Sequence, residues 1–474
     1  MSTAHRIAKN TLYLALGKIL STGIGVLTVA LLLRYLSVED YGRYTTVLAF
    51  ILLYGTIVDF GLNLTTTQDI SLPATDVPRT LSTVFTLRLL VNIVLILLLP
   101  VILLAFPYEP AVKNAILITS VLFFTSSLFQ VLASYFQMAL EAGKVAAAEL
   151  AGRAILLATT GIAIFYGFTF TQIMLTIVAS SLVQFWVLLR FTSAAIHLRL
   201  IIDYTIGKRI ARKTWPIALS VIFTTIYFKG DAVILSLTRP YQDVGIYGAA
   251  YKILEVLITL PILFMGLVLP HLSRAHSKGD TKQFNDIMQK TWDALAVVTM
   301  PLVVGTLVLA RPIMVLIAGN GYEPAENVLR ILIIATGIIF LGSLFSHAVV
   351  AIGKQKSMIQ YYAATAMLAV VLYVAYIPTY TYYAAAGVTV LSEFLIAIAA
   401  GIVVWRASSL TLSTKGFWAA LIASALMGFV LYILLSLNVL VLVLIGGSLY
   451  TLLIYMMRSQ FSFFLHETPL NRNH

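Results

Sequence analysis

The sequence predicts an all-α polytopic membrane protein of about fourteen spanning helices: two parallel six-helix bundles followed by two further helices. Three observations lead there. Of the 474 residues, 60% are hydrophobic and only 11% charged, where a soluble domain carries about 25% charged residues. The apolar residues fall in runs near the roughly 20 residues that a helix needs to cross a bilayer. A short motif recurs about two hundred residues apart, each time between two such runs.

Apolar runs broken by Pro, Gly and charge place the helices at 10–33, 44–66, 81–105, 114–138, 145–166, 171–191, 215–237, 246–270, 292–310, 327–350, 358–377, 383–404, 416–437 and 439–457. The last two can also be read as one re-entrant pair. The first run is too long for the apolar core of a cleavable leader, and it ends at Arg34 with no small-residue cleavage site. Orientation follows from the cations, which concentrate in cytoplasmic loops. With the N-terminus inside, twenty of the 31 Lys and Arg lie on the inner side, six on the outer side and five within spans. An even helix count puts the C-terminus inside as well, so a multi-pass protein of the cell membrane with both termini cytoplasmic is expected. The net charge of +12 is spread over these loops with no basic domain, which argues against nucleic acid as a partner. Cysteine is absent, so disulfides and thiol chemistry are excluded.

The repeat is D-x-G-x-Y. It appears as Asp40-Tyr41-Gly42-Arg43-Tyr44 after the first span and as Asp243-Val244-Gly245-Ile246-Tyr247 after the seventh. Gly143-Lys144 and Gly353-Lys354 likewise follow the fourth and tenth spans. Six helices per half is an even number, so both halves enter the membrane in the same sense, as in transporters built from two parallel bundles. The expected organisation is a first lobe over 1–192, a cytoplasmic interfacial linker over 193–214, a second lobe over 215–405, and two extra helices with a tail over 406–474. Within the basic stretch 190–213, Ile196, Leu198, Leu200, Ile201 and Ile202 mix with His197, Arg199 and Asp203. That pattern suits a segment lying on anionic membrane lipids, and a plain cytoplasmic connector is the alternative.

Several segments then resemble the polysaccharide or O-antigen (Wzx-type) flippases of the multidrug/oligosaccharidyl-lipid/polysaccharide exporter superfamily. They are Asn10-Thr11, Leu33-Arg34-Tyr35-Leu36-Ser37, the first D-x-G-x-Y motif, Asp59-Phe60-Gly61-Leu62, Gly230-Asp231-Ala232-Val233-Ile234-Leu235, Val244-Gly245-Ile246-Tyr247-Gly248-Ala249-Ala250-Tyr251 and Pro270-His271-Leu272-Ser273-Arg274. The likeness spans about the first 350 residues, and the last two helices depart from the commonest twelve-helix form of the family. The resemblance implies V-shaped lobes and a flippase. Its cargo would be an oligosaccharide on a polyprenyl phosphate or pyrophosphate, turned from the cytoplasmic to the outer leaflet by alternating access. Polysaccharide polymerases or glycosyltransferases would be its partners.

Charges inside spans supply the candidate site. A charge at a helix centre costs about 2.5–3.5 kcal/mol on insertion scales, so it normally faces a cavity or a partner. At 1.5 Å per residue, Lys18, Asp59, Arg88 and Arg153 lie roughly 10–12 Å from the inner face. Lys229, Asp231, Lys252 and Glu255 lie roughly 9–14 Å from the outer face. The cations Lys18, Arg88, Arg153, Lys229 and Lys252 are candidates to bind the pyrophosphate. The acids Asp59, Asp231, Glu255 and Glu393 are candidates to couple ions or to line the cavity. Structural alternatives stand beside these roles: Glu149 with Arg153 (i,i+4) and Lys252 with Glu255 (i,i+3) can neutralise each other along one helix. Glu393 can make a helix-packing hydrogen bond, Asp293 can be interfacial, and His347 can be a packing residue. Gly17, Ser21 and Gly25 give the first helix a small-residue face for close packing.

No nucleotide-binding G-x-x-x-x-G-K-[ST] motif occurs, and no metal cluster or nucleophile constellation is apparent. No cofactor and no catalytic residue is therefore expected. Three rival functions suit a polytopic chain. A multidrug cation exporter needs acids where the first and seventh spans carry Lys18 and Lys229. A membrane polymerase or ligase needs a larger outer loop than 311–326. A scramblase or peptidoglycan-precursor flippase differs only in cargo.

Overall fold

A computed structural model describes residues 3–59, 62–72, 75–408 and 411–462; the side chains of 3–16, 57–59, 62–64 and 216–217 lie outside that description. The described residues form fifteen α-helices and one short 3-10 turn, with no strand. In chain order the helices are α1 (Thr3–Tyr35), α2 (Val38–Asp59), α3 (Leu62–Ile70), α4 (Val77–Leu104), α5 (Pro110–Met138), α6 (Ala142–Phe165), α7 (Phe170–Ala195), α8 (Tyr204–Thr238), α9 (Tyr241–Leu257), α10 (Thr259–Ser277), α11 (Thr281–Ala318), α12 (Ala325–Ala351), α13 (Gln355–Ser408), α14 (Lys415–Ile433) and α15 (Val439–Met456).

Twelve helical stretches among the described residues are long and apolar enough to cross a membrane, one of them being α9 with α10. α13 holds two spans joined at Thr381, whose φ of 55° and ψ of −140° are not helical. With the 22 residues of α2, the total agrees with the expected fourteen. Helix formation throughout is the response to a solvent without hydrogen-bonding groups, since only a helix satisfies every backbone group within one segment.

The ends obey local chemistry. Asp76 accepts the N–H of Arg79 at the start of α4. Thr169 and Gln172 cap α7 reciprocally. Asp280 accepts the N–H of Gln283 at α11. Gly167, Gly279 and Gly353 take φ near +70° just past α6, α10 and α12, a conformation that costs a residue without Cβ little.

Several element ends differ from the sequence reading, and α11, Thr281–Ala318, overruns the expected 292–310 at both ends. The second expected span, 44–66, falls on α2 and α3, with residues 60–61 outside the description. α8 starts at Tyr204, well before residue 215. Asp203 accepts the N–H groups of Thr205 and Ile206 there and opens a helix inside the expected linker. The rest of the linker, 197–203, has no regular structure.

The chain forms two compact units, Met1–Gly245 and Ile246–His474. In the first, α1 lies against α6 and α7 against both α5 and α6. Its cores gather Phe129, Leu132, Phe136 and Leu188 in one cluster and Leu81, Val84, Ile206 and Ile210 in another. In the second, α12 packs along α13 and α11. The two helices beyond the expected lobes, α14 and α15, pack on α11 around Met300, Ala420, Ala423, Met427 and Leu442. Asp293 of α11 fixes the far end by accepting from Ser462 N–H (2.9 Å) and Oγ (2.7 Å) and from Gln289 Nε2 (3.0 Å). Gly416 makes room for it, because a Cβ there would stand 2.5 Å from Asp293 Oδ1.

Glycine sets the closest approaches. A Cβ on Gly17 would stand 2.7 Å from Ala146 Cβ, so the small face of α1 is a packing face against α6. The two repeat glycines meet each other. A Cβ on Gly42 would stand 1.7 Å from the Tyr241 carbonyl oxygen, and one on Gly245 would stand 2.1 Å from that of Val38. Each glycine therefore sits on the carbonyl four residues before the other. Substituting alanine at Gly42 or Gly245 forces these helix ends apart and should cost about 1–3 kcal/mol. The check is the thermal midpoint in detergent, with Gly23→Ala as control, since nothing lies within 4 Å of a Cβ there.

Candidate functional site

Three of the candidate charges belong to the first six spans: Lys18 and Arg153 at the seam of α1 with α6, and Arg88 on α4. Residues 17–25 of α1 run in the same direction as 146–153 of α6, with Gly17 on Ala146 and Gly25 under the Arg153 guanidinium, whose Nη1 would lie 3.5 Å from a Cβ. This register brings Lys18 Nζ within 3.9 Å of Glu149 Oε2. Glu149 therefore pairs across the seam with Lys18. Arg153 forms no ion pair among the described residues and is exposed. The trio carries one surplus positive charge, with both cations accessible: the Lys18 side chain is 45% exposed.

Arg88 differs in kind. It is among the largest fully buried side chains, 2% exposed, on the face of α4 that also carries Thr80, Val84 and Asn92. The side chain of Asp59 lies outside the described residues. On α8, Asp231 is fully buried, and Lys229 is half-buried with Nζ 5.3 Å from the Phe228 ring centre. In the second unit, Lys252 and Glu255 form a 2.7 Å ion pair along α9, the i,i+3 alternative weighed from sequence. Glu393 on α13 is 9% exposed. No ion pair reaches it among the described residues. His347 Nδ1 lies 2.8 Å from the Ser343 carbonyl, a bond within its own helix. Among the described residues no three His, Asp or Glu side chains gather as a metal site.

The structure adds clusters that sequence reasoning missed. Asp69, at the end of α3, is 1% exposed and accepts from both Arg209 (2.7 Å) and Lys213 of α8. Thr65 and Thr214 share a 2.7 Å hydrogen bond beside it. Arg43 of the first repeat bonds Glu39, Asp40 and Glu109, and its guanidinium lies 5.5 Å from the Tyr241 ring centre. Tyr108 and Ser236 bond at 2.9 Å nearby, and burial raises the Tyr108 hydroxyl to about 12. The i,i+4 spacing of Arg209 and Lys213 was a usable signal. Their partner Asp69, some 140 residues distant in sequence, was not.

Arg79 reaches Asp203 at 2.7 Å. The N–H of Ile206 chiefly holds the Asp203 carboxyl below the usual carboxylate range, and Arg79 adds to the effect. A depressed folded value stabilises the fold above the unfolded value near 3.8, and the contribution is lost as pH falls through the folded value. The thermal midpoint of Asp203→Ala should therefore lie below that of the parent at pH 7. The gap should close as the buffer is taken well below pH 3.8, and a gap independent of pH would refute this assignment.

Comparisons with known proteins speak to the family and the fold. A model of the family "Polysaccharide biosynthesis protein" matches residues 31–327. No curated protein matches the sequence. Among solved structures, one described as lipid II flippase MurJ in an inward closed conformation is similar at TM-score 0.80 and 17% identity, covering 94% of this chain and 99% of its own. An inward-facing multidrug resistance MATE family transporter of the MOP superfamily is similar at TM-score 0.66 and 14% identity, covering 85% and 94%. A MOP superfamily transporter from Pyrococcus furiosus gives TM-score 0.63 at 14% identity, covering 85% and 96%. At these identities the three structures speak for the fold.

Proposed function

This chain belongs to the polysaccharide biosynthesis protein family, and we propose that it is the flippase of a polyprenyl-phosphate- or pyrophosphate-linked oligosaccharide. It moves that cargo from the cytoplasmic to the outer leaflet. The observation that carries this reading is the surplus cation at the α1–α6 seam, where Glu149 pairs with Lys18 and Arg153 forms no ion pair among the described residues. A cation kept accessible within apolar spans suits an anionic head group and opposes the lipophilic cations of a multidrug exporter. The lipid II flippase with a similar fold supports a lipid-linked glycan as the class of cargo.

In this reading the head group is captured at Lys18 and Arg153, roughly 10–12 Å inside the inner face, and handed to Lys229 nearer the outer face. Arg88, buried in the first unit, supplies positive potential from behind rather than direct contact. The two six-helix lobes, 1–192 and 215–405, alternate in access, with both termini cytoplasmic. No covalent step is required. Outward movement of a doubly negative head group gains about 4–5 kcal/mol per 100 mV of inside-negative potential. Glu393 is the coupling candidate of the second lobe, as a buried carboxylate with no ion-pair partner among the described residues. Lys252 and Glu255 act as a helix-stabilising pair. Polymerases or glycosyltransferases of the same pathway would take up the product.

Reversal of Lys18 or Lys229 to glutamate should lower export at least about tenfold, as expected for loss of a charged contact worth about 1.5–3 kcal/mol. The assay is complementation of a deletion strain, scored by lipid-linked oligosaccharide left on the cytoplasmic side, with membrane levels of each variant matched to the parent. Full export by both variants would sink the proposal. For Glu393→Gln, an imposed proton gradient should no longer stimulate transport in proteoliposomes, whereas potential-driven transport persists. Undiminished stimulation would remove Glu393 from the coupling role.

A further inference from the structure

The segment that joins α7 to α8 is bound to the helices beneath it yet turns apolar side chains outward. The N–H of Arg199 donates to Ser82 Oγ and that of Ile201 to Thr86 Oγ1, both at 3.1 Å and one turn apart on α4. Ile196 and Leu198 pack on the cluster of Leu81, Val84, Ile206 and Ile210. The strap is thus fixed along α4, while Leu200 and Ile202 stay exposed, Leu200 at 72%. α8 continues the pattern. Ile206 and Ile210 face the core, and Tyr204, Lys208, Arg212 and Trp215, at i, i+4, i+8 and i+11, face away and are exposed. Lys208 lies 5.7 Å from the Tyr204 ring centre. Arg190, at the end of α7, lies the same distance from Trp186.

The acids of this region are already engaged. Asp76 caps α4, Asp203 takes Arg79 and the first turn of α8, and Asp69 takes Arg209 and Lys213. Arg199 and Arg212 form no ion pair among the described residues. The outcome is a surface of largely exposed Leu200, Ile202, Tyr204 and Trp215 interleaved with Arg199, Lys208 and Arg212, none of them in an ion pair among the described residues. It adjoins the spanning part of α8, which covers Ala218–Thr238 among the described residues. Leucine and isoleucine in water beside surplus cations form an unfavourable connector, whereas the headgroup layer of an anionic leaflet satisfies both.

We propose that the strap and the first three turns of α8 form a docking surface for anionic phospholipid headgroups, with Leu200, Ile202, Tyr204 and Trp215 inserted below the phosphates and Arg199, Lys208 and Arg212 at their level. The surface holds the connection between α7 and α8 in the plane of the leaflet. This assignment is independent of the cargo.

The chain has no cysteine, so Ile202→Cys of the full-length protein provides a single site for a nitroxide. The labelled protein is placed in nanodiscs of phosphatidylglycerol or of phosphatidylcholine, and collision with a water-soluble paramagnetic reagent is compared with collision with oxygen. The expected result is a lipid-shielded label in phosphatidylglycerol and a markedly more water-accessible one in phosphatidylcholine. Arg199→Glu with Arg212→Glu should abolish the shielding in phosphatidylglycerol, at about fivefold in occupancy for each charge removed. Equal shielding in both lipids, or shielding that survives the double reversal, would overturn the anionic specificity. A label open to water in both would overturn the docking surface itself. Since no binding residue of the cargo is altered, export by the labelled protein separates this outcome from any failure of the flippase reading.

Discussion

Hydrocarbon accepts no hydrogen bonds, and the whole architecture answers to that. Every described span is helical because the backbone must satisfy itself within each segment. Many hydroxyls follow suit: Thr28, Thr46, Thr83, Thr86, Thr192, Thr336 and Ser424 each donate to the carbonyl one turn back on their own helix. In water these groups would be free to choose partners. In lipid a back-bond is the local solution, and it leaves the helix surface apolar toward its neighbours.

Once polarity is internalised, association cannot rest on expelling water from apolar faces, because lipid tails are as apolar as leucine. Close packing takes over, and small residues decide where it occurs. Gly17 against Ala146, Gly42 against the Tyr241 carbonyl and Gly245 against the Val38 carbonyl are three of these close approaches. The last two give the D-x-G-x-Y repeat its structural meaning. Each copy supplies the missing Cβ that lets the other helix end come within contact, so the two copies are one reciprocal device.

The same solvent sorts the charges. Pairs that satisfy each other, such as Lys252 with Glu255 or Asp69 with Arg209 and Lys213, hold helices. Among the described residues, a few other charges stay outside ion pairs, and these are the ones proposed to meet something else. Arg153 at the α1–α6 seam is one, Glu393 on α13 another, and Arg199 with Arg212 near the strap a third. Their environments differ, within spans for the first two and at a span's edge for the last, and so do the partners proposed for them.

Composition and periodicity alone determined the all-helical membrane class, the fourteen spans to within a few residues at most ends, and which charged side chains lie within spans. These are legible because a span's length is set by bilayer thickness and a charge inside it is conspicuous against an apolar background. The early start of α8 escaped because its first turns carry Lys208, Arg209, Arg212 and Lys213, which read as a loop when only hydropathy is counted. Only the tertiary structure decided which charges keep company. Glu149 pairs with Lys18 across helices although Arg153 is one turn away, and Asp69 takes cations some 140 residues on. The reason is physical: i,i+4 spacing offers an intrahelical partner, but the register between helices, fixed by the glycine contacts, determines which side chains are actually within reach.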